Sequence, residues 1–99
     1  METVRRRRMP SEALREGGRL KYVYLLRSSS NPSKTYIGLS DDPARRLDEH
    51  NSSKSNFTSR HIPWKLEVLI GFEDTKRAVE LERYLKSGSG ISFARRYLW

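Results

Sequence analysis

The chain has no cysteine among its 99 residues. That excludes a disulfide framework and any zinc site built on thiolates. Long apolar runs are missing too. None approaches the ~20 residues that a membrane-spanning helix requires, so no membrane partner is expected. Nor is there a secretory pattern: the basic start Arg5 to Arg8 leads into Met9 and Pro10 rather than an apolar stretch. These features describe a soluble, cytoplasmic protein. Acidic groups are outnumbered, with twelve Asp and Glu against twenty Lys and Arg, for a net charge of +8. Half of that excess lies within residues 1–21 and half in residues 22–99, so it is not confined to one end. A surface of this kind attracts polyanions, and nucleic acid is the expected partner.

Residues 1–20 hold few large apolar groups, a block of four arginines and the pair Gly17-Gly18. They read as a basic N-terminal arm, with room for a short helix over Ser11 to Glu16. A single domain follows over 21–99, a length that supports one modest core. Tyr22-Val23-Tyr24-Leu25-Leu26 is β-branched, aromatic and apolar, hence a strand. A loop over Ser28 to Ser33 leads to a second strand, Thr35 to Ser40, and the pair forms a hairpin. Asp42 before Pro43 marks a helix start, a capping side chain followed by proline at the first helical position. That helix should run to about His50. Trp64 to Phe72 is the third strand. Asp74 or Thr75 should cap a second helix that stops near the glycines of Ser87-Gly88-Ser89-Gly90, and a short basic helix over Ser92 to Leu98 closes the chain.

Period-two alternation puts Tyr22, Tyr24 and Leu26 on one face of the first strand, and Tyr36, Gly38 and Ser40 on one face of the second. Val23, Leu25, Ile37 and Leu39 form the opposite, aliphatic faces. The tyrosines can therefore cluster, with Gly38 expected to leave open space beside them. On the first helix, Ala44 and Leu47 form the apolar stripe. Arg46 and His50, four apart, flank it, while Arg45 points to water. On the second helix the stripe is Ala78, Leu81 and Leu85. Glu82 flanks it and Glu80 faces away. A carboxylate beside an apolar face needs a partner or a metal. An ordinary ion pair between Arg46 and Glu82 would satisfy both.

Taken in order, these residues resemble the GIY-YIG endonuclease domain. Tyr36-Ile37-Gly38 matches the second triplet literally. Tyr22-Val23-Tyr24 stands at the first, with tyrosine and valine where the family has glycine and isoleucine. Arg46 follows Tyr36 by ten residues and His50 follows Arg46 by four, and Glu82 lies on a late helix. The resemblance implies an α/β sandwich (α+β in character), a three-stranded antiparallel sheet flanked by helices, which is the element order read from the residues. It also implies phosphodiester hydrolysis assisted by one divalent ion, Mg²⁺ or Mn²⁺, with Glu82 as the metal ligand. Tyr24, Tyr36, Arg46, His50 and Glu82 are the expected catalytic set. Gly38, Lys86, Arg95 and Arg96 are expected to meet nucleic acid, DNA ahead of RNA. Arg46, as a nearby cation, is expected to lower the pKa of a catalytic tyrosine. Leu39 stands where some members carry lysine. The alternative, a non-catalytic nucleic-acid-binding module that keeps the fold, is motivated by Ala94, where several active members have asparagine, and by the divergent first triplet.

Overall fold

The computed structural model describes residues 20–52 and 57–99. The expected arm, with the short helix expected in it, therefore lies, Leu20 apart, outside the described residues. Strands β1 (Lys21–Ser28), β2 (Thr35–Ser40) and β3 (Trp64–Phe72) form one antiparallel sheet in the order β2-β1-β3. Helix α1 (Pro43–Asn51) follows the hairpin, and a 3-10 turn (Thr58–His61) leads into β3. Helices α2 (Thr75–Leu85) and α3 (Gly88–Tyr97) complete the chain. Among the described residues no helix is long and apolar enough to cross a membrane.

The central strand explains its own composition. β1 has a neighbour on each side and helices over each face, so Tyr22 to Leu26 are all buried rather than alternately so. Val23 and Leu25 face α2 and α3, packing with Ala78, Leu85 and Ala94. Tyr24 and Leu26 face the other way, with Trp64, Tyr36 and Leu47. The two faces are those the alternation assigned. β3 departs from regular alternation by one residue. Its register against β1 shifts between Leu25 and Leu26, which leaves Glu67 without a Cα partner. Leu66 and Leu69 can then both join the tyrosine side although they are three apart.

Both predicted caps form. Asp42 accepts a hydrogen bond from the Arg45 N–H at 3.2 Å, and Asp74 accepts one from Lys76 at 2.9 Å. The stripe of α1 is corrected in part. Ala44 and Leu47 are only half-buried, whereas His50 in the last turn is fully buried. The Asn51 side chain accounts for this. It donates to the Trp64 carbonyl at 3.0 Å and accepts from the Trp64 N–H at 2.5 Å, clamping the end of α1 onto β3.

The last helix also needs correction. It begins at Gly88, not Ser92, with Ser87 as its cap. The expected terminator glycines are instead its first turn. Gly90 is required there because a Cβ would lie 1.6 Å from the Tyr84 carbonyl oxygen. This close approach folds α3 directly back against α2.

Candidate active site

The side chains of β1, β2 and α1 converge on the tyrosine face. Tyr24 comes from the middle of β1 and Tyr36 from β2, their rings 6.2 Å apart. His50 reaches both. Its ring lies 4.7 Å from that of Tyr36, and its Nε2 is 3.1 Å from the Tyr24 hydroxyl. Arg46, one turn earlier on α1, lies near enough to act on the same hydroxyl and pairs with Glu49. Arg45 is exposed, as its helical phase required, and reaches Glu49 at 2.9 Å from the other side.

Room for the Tyr24 ring comes from Gly38, its cross-strand partner. A Cβ at position 38 would stand 2.3 Å from the Tyr24 Cζ and hydroxyl oxygen. The open space expected beside Gly38 is thus filled by Tyr24. Gly38 itself is buried beneath that ring. Tyr22 repeats the arrangement on the other flank of β1, against Gly71 on β3, where a Cβ would meet its ring at 2.9 Å. A tyrosine at the first triplet position is accommodated in this way.

Burial dominates the electrostatics. It pushes the Tyr24 hydroxyl above the ordinary tyrosine value, and the neighbouring Tyr36 adds to the rise. The nearby Arg46 pulls the other way without reversing it. Arg46 thus acts in the expected direction, and burial outweighs it. Burial also lowers the pKa of His50, helped by the Arg46 charge and opposed by Glu49. The imidazole is neutral at pH 7. Glu49 is held below the usual carboxylate range, first by its hydrogen bond from Arg46.

Glu82 stands apart from this cluster. It lies on α2, whose apolar stripe covers the opposite face of the sheet, and it pairs with Lys86 at 2.5 Å. The ion pair with Arg46 weighed for it is not made. Among the described residues no group of three or more His, Cys, Asp or Glu side chains gathers as a metal cage. A lone carboxylate still suits Mg²⁺, which keeps several waters and binds through one or two carboxylates plus substrate phosphate. Lys86 is half-exposed on a flexible stem and can swing away. The residues present fit one divalent ion held by Glu82 on those terms.

Arg95 and Arg96 are exposed in the last turn of α3, with Arg96 set over the Tyr97 ring at 6.0 Å. Tyr84, Phe93 and Tyr97 form an exposed aromatic row beside them, with centroid spacings of 6.1 and 5.1 Å. Arg95 also borders a cleft of about 340 Å³ lined by Thr35, Ile37, Leu85 and Trp99. That cleft lies on the aliphatic side of the sheet, away from the tyrosines. Ala94 is buried in the core against α2.

Two members of the site were missed in the sequence. Glu49 is three residues from Arg46 and four from Arg45, so helical spacing pointed to it. Thr58 holds the far side of His50, with Oγ1 at 2.8 Å from Nδ1. It comes from the 3-10 turn, and nothing in the local pattern signals that contact.

Comparison with known proteins bears on the whole arrangement. The model of the GIY-YIG catalytic domain matches residues 20–91. A protein of Cryptococcus neoformans var. neoformans serotype D named structure-specific endonuclease subunit SLX1 is 38% identical over 65 residues, 60% of this chain and 13% of that protein. Its namesake in Malassezia globosa is 38% identical over 68 residues, 65% of this chain and 15% of that protein. In Talaromyces stipitatus the figure is 40% over 65 residues, 60% of this chain and 17% of that protein. The match thus spans less than a fifth of each of these relatives.

Proposed function

This chain belongs to the GIY-YIG catalytic domain family, and on that footing we propose that it is a divalent-metal-dependent endonuclease hydrolysing phosphodiester bonds in DNA. The observation that carries the reading is the buried Tyr24–His50 hydrogen bond with the Arg46 charge close by. A polar cluster so costly to bury is retained where it performs chemistry.

Phosphodiester hydrolysis needs a water that gives up a proton, a hold on the growing negative charge and relief for the leaving oxygen. Tyr24 and Tyr36 are the groups that orient the attacking water and receive its proton. Arg46 is already held by Glu49, so its guanidinium is set in place to meet phosphate oxygens with charge-assisted hydrogen bonds. A divalent ion on Glu82, Mg²⁺ or Mn²⁺, would offset charge at the phosphate and the leaving oxygen.

Lys86, Arg95 and Arg96 supply cations to track the backbone beyond the scissile bond, and Arg5 to Arg8 add a looser attraction. The relatives' names support a substrate marked by the structure of the DNA rather than by its sequence. The word subunit in those names supports a protein partner. Cleavage of branched, flapped and linear duplexes with Mg²⁺, Mn²⁺ or chelator tests the proposal. Metal-dependent cleavage favouring discontinuous forms is expected. Binding without cleavage in either metal would instead make the chain a nucleic-acid-binding module.

A further inference from the structure

Large apolar side chains gather in water on one part of the surface. Five are exposed among the described residues, and four of them, Tyr84, Ile91, Phe93 and Tyr97, lie on α2 and α3. Helical phase accounts for the aromatic ones. α3 turns Gly90 and Ala94 inward, so Phe93 and Tyr97, four apart, share a flank outside the core. Tyr84 meets them from α2. Its ring centroid is 6.1 Å from that of Phe93, which is 5.1 Å from that of Tyr97. Tyr97 is the most open of the three, 67% exposed. Apolar side chains scattered singly over a surface are ordinary, but a contiguous row of rings marks a contact.

The charges beside the row point to its occupant. The charged side chains of α3 are Arg95 and Arg96, both exposed, and the helix has no acidic residue. The Arg96 guanidinium lies over the Tyr97 ring, 6.0 Å from its centroid, a cation–π contact. A purely apolar partner would cover these arginines without a counter-charge, which is costly. A nucleic-acid strand satisfies both kinds of group, with bases for the rings and phosphates for the guanidinium. Continuous duplex does not suffice, because each base inside it is covered on both faces by its neighbours. An unpaired base has a face free to stack on a protein ring.

We propose that Tyr84, Phe93 and Tyr97, with Arg96, form a binding site for a single-stranded segment of DNA, its bases stacked on the rings and a phosphate paired with the arginine. The inference rests on the endonuclease reading above and deepens it by naming the substrate class: duplex that carries an unpaired strand. The row lies off the chemistry. α3 packs on the Val23 and Leu25 side of the sheet, opposite Tyr24 and Tyr36. On α2, Tyr84 is two residues from Glu82, which puts the two on nearly opposite flanks of the helix. The row therefore grips the unpaired strand at a distance from the scissile bond. Its contribution is to affinity and to the choice of substrate.

Binding of the full chain in chelator, measured by fluorescence anisotropy apart from any cleavage, tests the site. The probes are an oligothymidylate and a blunt duplex of equal length. Tyr97→Ala should weaken oligothymidylate binding at least about fivefold, the lower end of what one base–aromatic stack contributes, with a smaller effect on the duplex. Tyr97→Phe keeps the ring and should keep the affinity. Arg96→Gln should reduce the salt slope by about 0.7, one single-strand phosphate contact. In the wild-type chain, an oligonucleotide carrying iodouracil should photocrosslink to Tyr84, Phe93 or Tyr97, whatever the folding of any variant. No binding of oligothymidylate by wild type, undiminished binding by Tyr97→Ala, an equal loss on duplex, or crosslinks confined to other residues would overturn the proposal. So would a self-association that Tyr97→Ala abolishes while DNA binding persists, since the row would then join two copies of the chain. A chain that binds oligothymidylate through the row and cleaves nothing loses the endonuclease reading alone. One that cleaves DNA but binds it indifferently to Tyr97 loses the row alone.

Discussion

The Tyr24 ring occupies the volume that any side chain at Gly38 would need, with 2.3 Å between its hydroxyl and a Cβ built at that position. Gly38→Ala must therefore expel the ring from its place between Arg46 and His50. We expect a loss of about 1–3 kcal/mol in stability, the usual cost of overpacking, and a far larger proportional loss of cleavage. Gly71→Ala makes the milder equivalent contact with Tyr22, at 2.9 Å, and should lower stability while sparing turnover. Thermal unfolding and plasmid nicking of the two variants, side by side, check the contrast. Equal losses of activity would show that the tyrosine position matters less than the sheet.

Arg45 and Arg46 share one carboxylate, Glu49, yet only Arg46 acts on the Tyr24 hydroxyl. Arg46→Ala should slow cleavage at least ~100-fold, the scale of removing a preorganised donor. Arg45→Ala should act mildly, through binding, because its pairs are exposed and individually weak. Rate constants at saturating DNA separate the two, and a comparable fall in both would contradict the division of roles.

His50 sets a pH dependence of stability. Its folded pKa lies below the ordinary 6.5 because burial disfavours the cation. The unfolded chain therefore binds the proton more readily, and stability falls as pH drops through about 6.5 and on toward the folded value. Glu49, whose pKa is depressed, contributes above the unfolded carboxylate value, and that contribution is lost only at lower pH, through its folded value. Unfolding temperatures between pH 7.5 and about 5 should slope downward in wild type and flatten in His50→Asn. An unchanged slope in the variant would remove His50 as the cause.

Lys86 holds the carboxylate that the metal would need. Glu82→Gln should abolish cleavage and weaken Mn²⁺ binding with the fold intact. Lys86→Ala should tighten Mn²⁺ binding by freeing Glu82, although it weakens binding to DNA. Calorimetric titration with Mn²⁺ reads both. Normal turnover in Glu82→Gln would transfer the ligand role to Glu80, which is exposed on the far side of α2.

Much of this architecture is legible before any coordinates. The bounds of β2 and β3 follow from residue type and flanking loops, and both helix starts follow from an aspartate in capping position. The facing of Tyr24 and Tyr36 follows from alternation alone. Three things do not. The register shift opposite Leu25 and Leu26 has no glycine or proline to announce it. Gly88 and Gly90 read as breakers, whereas the real reason for Gly90, contact with the end of α2, is tertiary. Thr58 meets His50 across a segment with no periodicity, so only the folded chain brings them together.

Tyr24→Phe provides the sharpest test of the central claim. It removes one oxygen from the point where Arg46 and His50 converge, and leaves the ring that fills the space over Gly38. Single-turnover cleavage of a branched duplex should fall at least ~100-fold, with the fold and DNA affinity retained. Cleavage at the wild-type rate would contradict the account, because the Tyr24 hydroxyl would then have no part in the chemistry.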